Sequence, residues 1–109
     1  MSNSVLPTET CDVAYAMSII GGKWKLFILW KLLGKRLRFA ELRRAVRGIS
    51  ETVLISQLKE LERDGLVKRI SYHVVPPHVE YELTPVAQEL NESLQQLRRW
   101  GAKRRATAA

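Results

Sequence analysis

FAELRRAVRGISETVLISQLKELERDG, residues 39–65, carries two apolar stripes at helical spacing on either side of one glycine. In the first half, Phe39, Leu42, Ala45 and Val46 recur as the buried line of a short helix. Gly48 supplies a tight stop, and Ser50 is a good N-cap because its hydroxyl can accept a bond from a free amide of the next first turn. In the second half Leu54, Leu58 and Leu61 form the inward line of a helix that runs to about Asp64 and ends at Gly65. Opposite that line, at about 100° per residue, fall Thr52, Ser56, Lys59 and Arg63, with Ile55 at the margin. Two short helices joined by a tight glycine turn predict a helix-turn-helix.

Working outward, the period changes to two after Gly65. Leu66, Ile70, Tyr72 and Val74 are predicted to share one strand face, and Val79, Tyr81 and Leu83 alternate with Glu80 and Glu82 in a second strand. Pro76 and Pro77 cannot donate ladder hydrogen bonds, so they belong to the connection. The pair reads as a two-stranded wing, with both Tyr72 and Tyr81 pointing inward. Thr84 followed by Pro85 opens a terminal helix whose stripe, Val86, Leu90, Leu94 and Leu97, ends near Trp100. Upstream, Val13, Ala16, Met17 and Ile20 mark a first helix, Gly21 and Gly22 interrupt it, and Lys23 to Leu33 reads as a core helix stopped by Gly34.

The expected fold is therefore α+β and mainly helical: a winged helix-turn-helix with a two-stranded wing and helices at both ends. The organisation expected is a flexible arm over residues 1–10, one domain over 11–101, and a basic, Ala-rich tail over 102–109. A long terminal stripe needs a cover that a chain of 109 residues has little left to provide, which implies a partner subunit.

Charge narrows the partners. Lysine and arginine number 18 against 11 acids, giving +7 at pH 7, and such a surface attracts a polyanion in a salt-dependent way. The basic residues cluster between Lys23 and Arg47 and again between Arg98 and Arg105. No apolar run is long enough to span a bilayer, and residues 1–9 lack the pattern of a secretory signal. A cytoplasmic protein is expected, and the single cysteine, Cys11, suits that compartment.

The run Ile20-Gly21-Gly22-Lys23-Trp24, then Arg38-Phe39-Ala40-Glu41-Leu42, Gly48-Ile49-Ser50, Leu58 to Val67, and Val75-Pro76-Pro77-His78-Val79-Glu80-Tyr81-Glu82-Leu83-Thr84 stand here in one order with Cys11 ahead of them. In this the chain resembles the HxlR-type family of bacterial winged helix-turn-helix regulators over roughly Cys11 to Trp100. The resemblance implies a homodimer joined by its first and last helices, with Val13, Met17, Leu94, Leu97 and Trp100 at the seam. It also implies operator DNA as the target, read in successive major grooves, and repression as the outcome. The sequence departs from the family pattern at Thr52, where members commonly have a basic residue, at His78, where Arg or Lys often follows the two prolines, and at Asp12, often Pro.

On this reading Thr52, Ser56 and Lys59 face base edges and Ile55 a thymine methyl. Arg38, Arg43, Arg44 and Arg47, with Lys35 and Arg36 in the preceding turn, hold phosphates, and His78 lies in the wing near the minor groove. Cys11 is a candidate redox sensor, and with no second cysteine any disulfide would join two subunits. Trp24, Phe27 and Trp30 are expected in the core in preference to a ligand pocket, although an unidentified small-molecule effector stays among the expected partners. No cofactor or metal is expected. Catalysis is not expected either, since His73 and His78 are the only neutral-pH proton carriers and no phosphate-binding loop is present. An RNA-binding module and a winged helix kept only for protein interaction are the competing readings.

Overall fold

The structure, a computed structural model, describes residues 11–108; the expected arm over 1–10 lies outside them. Helix α1, Asp12–Ile20, is capped by the Cys11 sulfur, which accepts from the Ala14 N–H at 3.4 Å. None of its residues is buried. Helix α2, Lys25–Leu32, sits at the centre, with Ile28, Leu29 and Leu32 essentially inaccessible. After Gly34, whose φ of +69° suits a residue without a Cβ, the chain forms strand β1, Leu37–Arg38, and helix α3, Phe39–Ala45. Helix α4, Glu51–Arg63, follows a turn at Gly48 with φ +89°. The Ser50 hydroxyl accepts from the Val53 N–H at 3.1 Å, the cap expected.

Strands β2, Val67–Tyr72, and β3, His78–Leu83, form the wing hairpin. The sheet has three strands in the order β1-β3-β2, so the wing expected as two strands gains a third. β1 pairs antiparallel with β3 through Leu37↔Tyr81 and Arg38↔Glu80. β2 pairs with β3 from Val67↔Leu83 to Tyr72↔His78. Directly opposed residues share a face, so Val67, Arg69 and Ser71 lie beside Leu83, Tyr81 and Val79 on the inner face. Tyr72 and Ile70 lie on the outer face with His78 and Glu80. The expectation that Tyr72 and Tyr81 both point inward is corrected by this register: only Tyr81 does, at 9% exposure. Val74 belongs to the connection and not to the strand.

The inner face closes against α2, α3 and α4, and the core joins Leu42, Val46 and Ile49 to Leu54, Leu58 and Leu61 and to Leu66, Val67 and Leu83. Thr84 fastens the next segment to the turn after α4. Its N–H donates to Leu66 O at 3.0 Å and its hydroxyl to Gly65 O at 2.7 Å, while the same oxygen caps Ala87.

The terminal helix expected from Thr84 onward is two helices. Helix α5, Pro85–Gln88, ends where Leu90 N–H bonds Ala87 O three residues back, and helix α6, Asn91–Thr107, begins anew. The break lets Ala87, 1% exposed, pack into the core while Leu94 does the same one helix later. α6 continues through most of the segment 102–109 that was expected as a tail. Among the described residues no helix is long and apolar enough to cross a membrane.

Candidate nucleic-acid interface

Because Leu54, Leu58 and Leu61 turn one side of α4 into the core, the opposite side has to face out. Thr52, Ile55, Ser56 and Lys59 form that outer row, all exposed. Its position is held from behind. Lys25 of α2 is buried, and its Nζ meets Glu60 Oε1 at 2.5 Å, an ion pair that ties α4 to the central helix. The sequence stripe placed Lys25 in a core helix without showing what would neutralise it; Glu60, 35 residues away, does so. At the far end of α4, Arg63 donates two hydrogen bonds of 3.1 Å to the Asp64 carboxylate. That contact holds Asp64 below the usual carboxylate range and Arg63 above its ordinary value.

The exposed Arg43 and Arg44 on α3 flank the start of this row. Both line a shallow depression with Phe39, Ala40, Ile49 and Glu51 where α3 meets the first turn of α4. Arg43 Nη1 stands 3.9 Å from Glu51. Arg47, in the turn, is exposed on the same stretch, as is Lys35 after α2. Cations beside the amide-rich start of a helix make a surface suited to phosphate oxygens.

Three of the expected contact residues are placed elsewhere. Arg36 is engaged on the outer sheet face: its Nε lies 3.1 Å from Glu82 Oε1, its Nη1 donates to the Tyr72 hydroxyl at 2.6 Å, and Glu80 is 3.9 Å away. The hydrogen bond to Glu82, then that to Tyr72, raises the Arg36 pKa. Arg36, expected as a phosphate contact, is thus paired across the wing, with its side chain 45% exposed. Arg38 shares the outer face through its pairing with Glu80; its backbone N–H donates to Glu41 Oε1 at 2.7 Å, fixing the start of α3. His78 stacks on Tyr72 with ring centroids 4.7 Å apart, and its Nε2 is 3.3 Å from Glu80. It lies folded against the sheet instead of reaching outward.

Arg69 was missed. It sits in β2 where alternation suggested an outward position, but its pairing with Tyr81 puts it on the inner face, lining a cleft with Ile55 and Lys59. The cross-strand register, which the sequence does not state, is what reveals it.

On α1 and α6, Val13 is 71% exposed, Met17 47%, Leu97 52% and Trp100 63%. Leu94, expected with them at a seam, is buried at 6% inside its own chain. Phe27, expected in the core, is 54% exposed and lines an apolar groove with Leu26, Trp30, Leu94 and Leu97. Trp24 and Trp30 do pack against the core.

A family model for HxlR-like helix-turn-helix proteins matches residues 19–108. The chain belongs to the HxlR-like family. It is a transcriptional regulator of the helix-turn-helix type. A relative in Halalkalibacterium halodurans, the uncharacterized HTH-type transcriptional regulator BH0655, is 51% identical over 90 residues, covering 82% of this chain and 80% of that one. A solved structure from Porphyromonas gingivalis W83, assigned to the MarR family of transcriptional regulators, superposes with a TM-score of 0.84 at 38% identity, covering 91% of this chain and 97% of the other. The redox regulator HypR in its reduced form gives a TM-score of 0.83 at 39% identity, covering 90% and 97%. The winged helix expected from the HxlR-type residues is the fold observed.

Proposed function

We propose that this HxlR-type chain binds double-stranded operator DNA as a homodimer and represses transcription, with α4 in the major groove. The observation that carries the reading is the exposed row Thr52, Ile55, Ser56 and Lys59, backed by three buried leucines and flanked by Arg43 and Arg44. The row offers hydroxyl and ammonium groups to base edges, and the arginines offer charge to the backbone. Support for the dimer comes from the helices at the two ends of the chain and α2, where α1 buries nothing and Val13, Met17, Phe27, Leu97 and Trp100 leave apolar surface uncovered. A two-fold pair would present two copies of α4 to half-sites about one helical turn apart. A cytoplasmic, non-catalytic protein goes with this reading.

Arg36 and His78 are turned onto the sheet, so the wing is expected to add little to the grip. Binding should rest on α3 and α4. The test is fluorescence anisotropy of the purified protein against its own upstream promoter and an unrelated duplex of equal length, at two salt concentrations. Much tighter promoter binding at the higher salt, at two chains per site, is the expected result. Equal binding to both duplexes, released together by salt, would favour the competing reading of a winged helix kept for protein interaction.

Similarity to HypR, a redox regulator by name, supports a thiol response through Cys11, whose sulfur is exposed at the start of α1. A Cys11→Ser protein that still releases the promoter on treatment with diamide would remove this part of the reading.

A further inference from the structure

The second group of basic residues has no part in the interface built on α3 and α4. Arg98, Arg99, Lys103, Arg104 and Arg105 all lie on α6, and residues 98–107 contain no acid. Every residue from Gln96 to Ala108 is exposed. None of the five cations stands in an ion pair among the described residues. In a chain of net charge +7, this stretch of helix is neither covered nor neutralised by the residues around it.

Helix electrostatics account for only part of the cluster. The negative end of the helix dipole favours Arg104 and Arg105 in the last turn, and the effect fades within that turn, short of Arg98 and Arg99. Lys103 stands four residues after Arg99, a like-charge spacing that works against the helix. An anion from outside the chain relieves that repulsion.

Placement says which anion fits. At about 100° per residue, Leu97, Trp100 and Arg104 fall on one side of α6, and Arg98, Arg99, Lys103 and Arg105 fall outside it. A partner subunit laid over Leu97 and Trp100 leaves those four open. Along the axis, Arg99 and Lys103 are about 6 Å apart and Arg98 and Arg105 about 10.5 Å, a ladder suited to a polymer with closely spaced negative charge. Duplex DNA carries one such charge per about 1.7 Å of axis, and the planar guanidinium of arginine matches phosphate oxygens. A bilayer surface fits less well. An interfacial helix buries a continuous apolar face, whereas Leu94 is turned into its own chain and Leu97 and Trp100 are the large apolar side chains that α6 exposes.

We propose that the basic end of α6 is a second surface for duplex DNA, one that holds the phosphate backbone without reading sequence. Arg99, Lys103 and Arg105 carry it, with Arg98 beside them. Phosphate contacts position a protein and leave specificity to others, so this surface retains the chain on DNA of any sequence. It goes beyond the operator reading and does not depend on it.

The test uses the full chain and an unrelated duplex, followed by fluorescence anisotropy between about 50 and 200 mM salt. Arg99→Gln, Lys103→Gln and Arg105→Gln, made together, should lower the slope of log affinity against log salt by about two to three per chain, since each phosphate contact contributes about 0.9. Binding at the low-salt end should weaken about tenfold or more, with circular dichroism and sedimentation unchanged. A charge-matched control, Lys23→Gln with Lys31→Gln and Lys68→Gln, should change the slope by less than about one. An equal fall in the control would reduce the effect to net charge and overturn the surface, as would an unchanged slope in the α6 variant. Phosphatidylserine vesicles form the remaining arm: vesicle binding lost in the α6 variant while duplex binding stays intact would assign the surface to a membrane instead. Loss of promoter preference with the α6 effect preserved would sink the operator reading and leave this surface standing.

Discussion

Helices α4 and α6 solve opposite problems. α4 has 13 residues, buries Leu54, Leu58 and Leu61 in its own domain and is tied to α2 by Lys25 and Glu60. α6 has 17 residues and buries only Leu94, while Leu97 and Trp100 stand exposed further along it. The helix proposed to meet DNA is thus held by its own chain, and the helix proposed to meet a partner subunit leaves Leu97 and Trp100 uncovered. An exposed residue therefore means different things on the two helices: a largely polar row over a finished core in α4, and apolar residues beside an open groove in α6.

The sharpest way to break this contrast is a substitution under α4. Leu54→Ala empties a fully buried position and should cost about 2–5 kcal/mol of stability, measured by urea unfolding. Next, Trp100→Glu should leave the circular dichroism of the fold intact and raise the dimer dissociation constant about thirtyfold or more, read by sedimentation. Loss of the fold instead would erase the distinction between the two helices. Lys25→Met should cost about 1–3 kcal/mol, less than a fully buried pair would, because Glu60 is partly open to water.

Ser50→Ala removes the cap of α4 and should cost about 1 kcal/mol, with faster amide exchange at Val53. The smallest effect belongs to Asp64. Its lowered pKa means that its pairing with Arg63 stabilises the fold above the usual carboxylate range and fades as pH falls through the lowered value. Asp64→Asn should therefore be slightly less stable than the parent near neutrality and indistinguishable from it in strong acid.

What was legible in the sequence was whatever local chemistry decides. The Ser50 and Thr84 caps, the glycine stops and the leucine line of α4 are set by neighbours a few residues away, and all appear as read. What was not legible depends on distant partners. β1 is two residues long and exists only because Tyr81 and Glu80 lie alongside it. The even positions of β2, Ile70 and Tyr72, look the more apolar, but β3 buries Tyr81 and Leu83, and register carries Arg69 inward with them. Nothing local marks the break at Glu89 and Leu90, since no glycine or proline stands there. In the interface, α4 was readable for the same reason as its core, whereas the loss of Arg36 to Glu82 and Tyr72 joins residues 46 and 36 positions apart.

The short pairing of β1 with β3 also has a mechanical consequence. It stitches the chain entering α3 to the wing strand, so the helix pair and the hairpin form one stiff reading head and not two hinged parts. If the proposed dimer forms, any adjustment to the spacing of half-sites would have to be made at the junction between subunits, and the exposed end of α6 would be the pivot of that assembly.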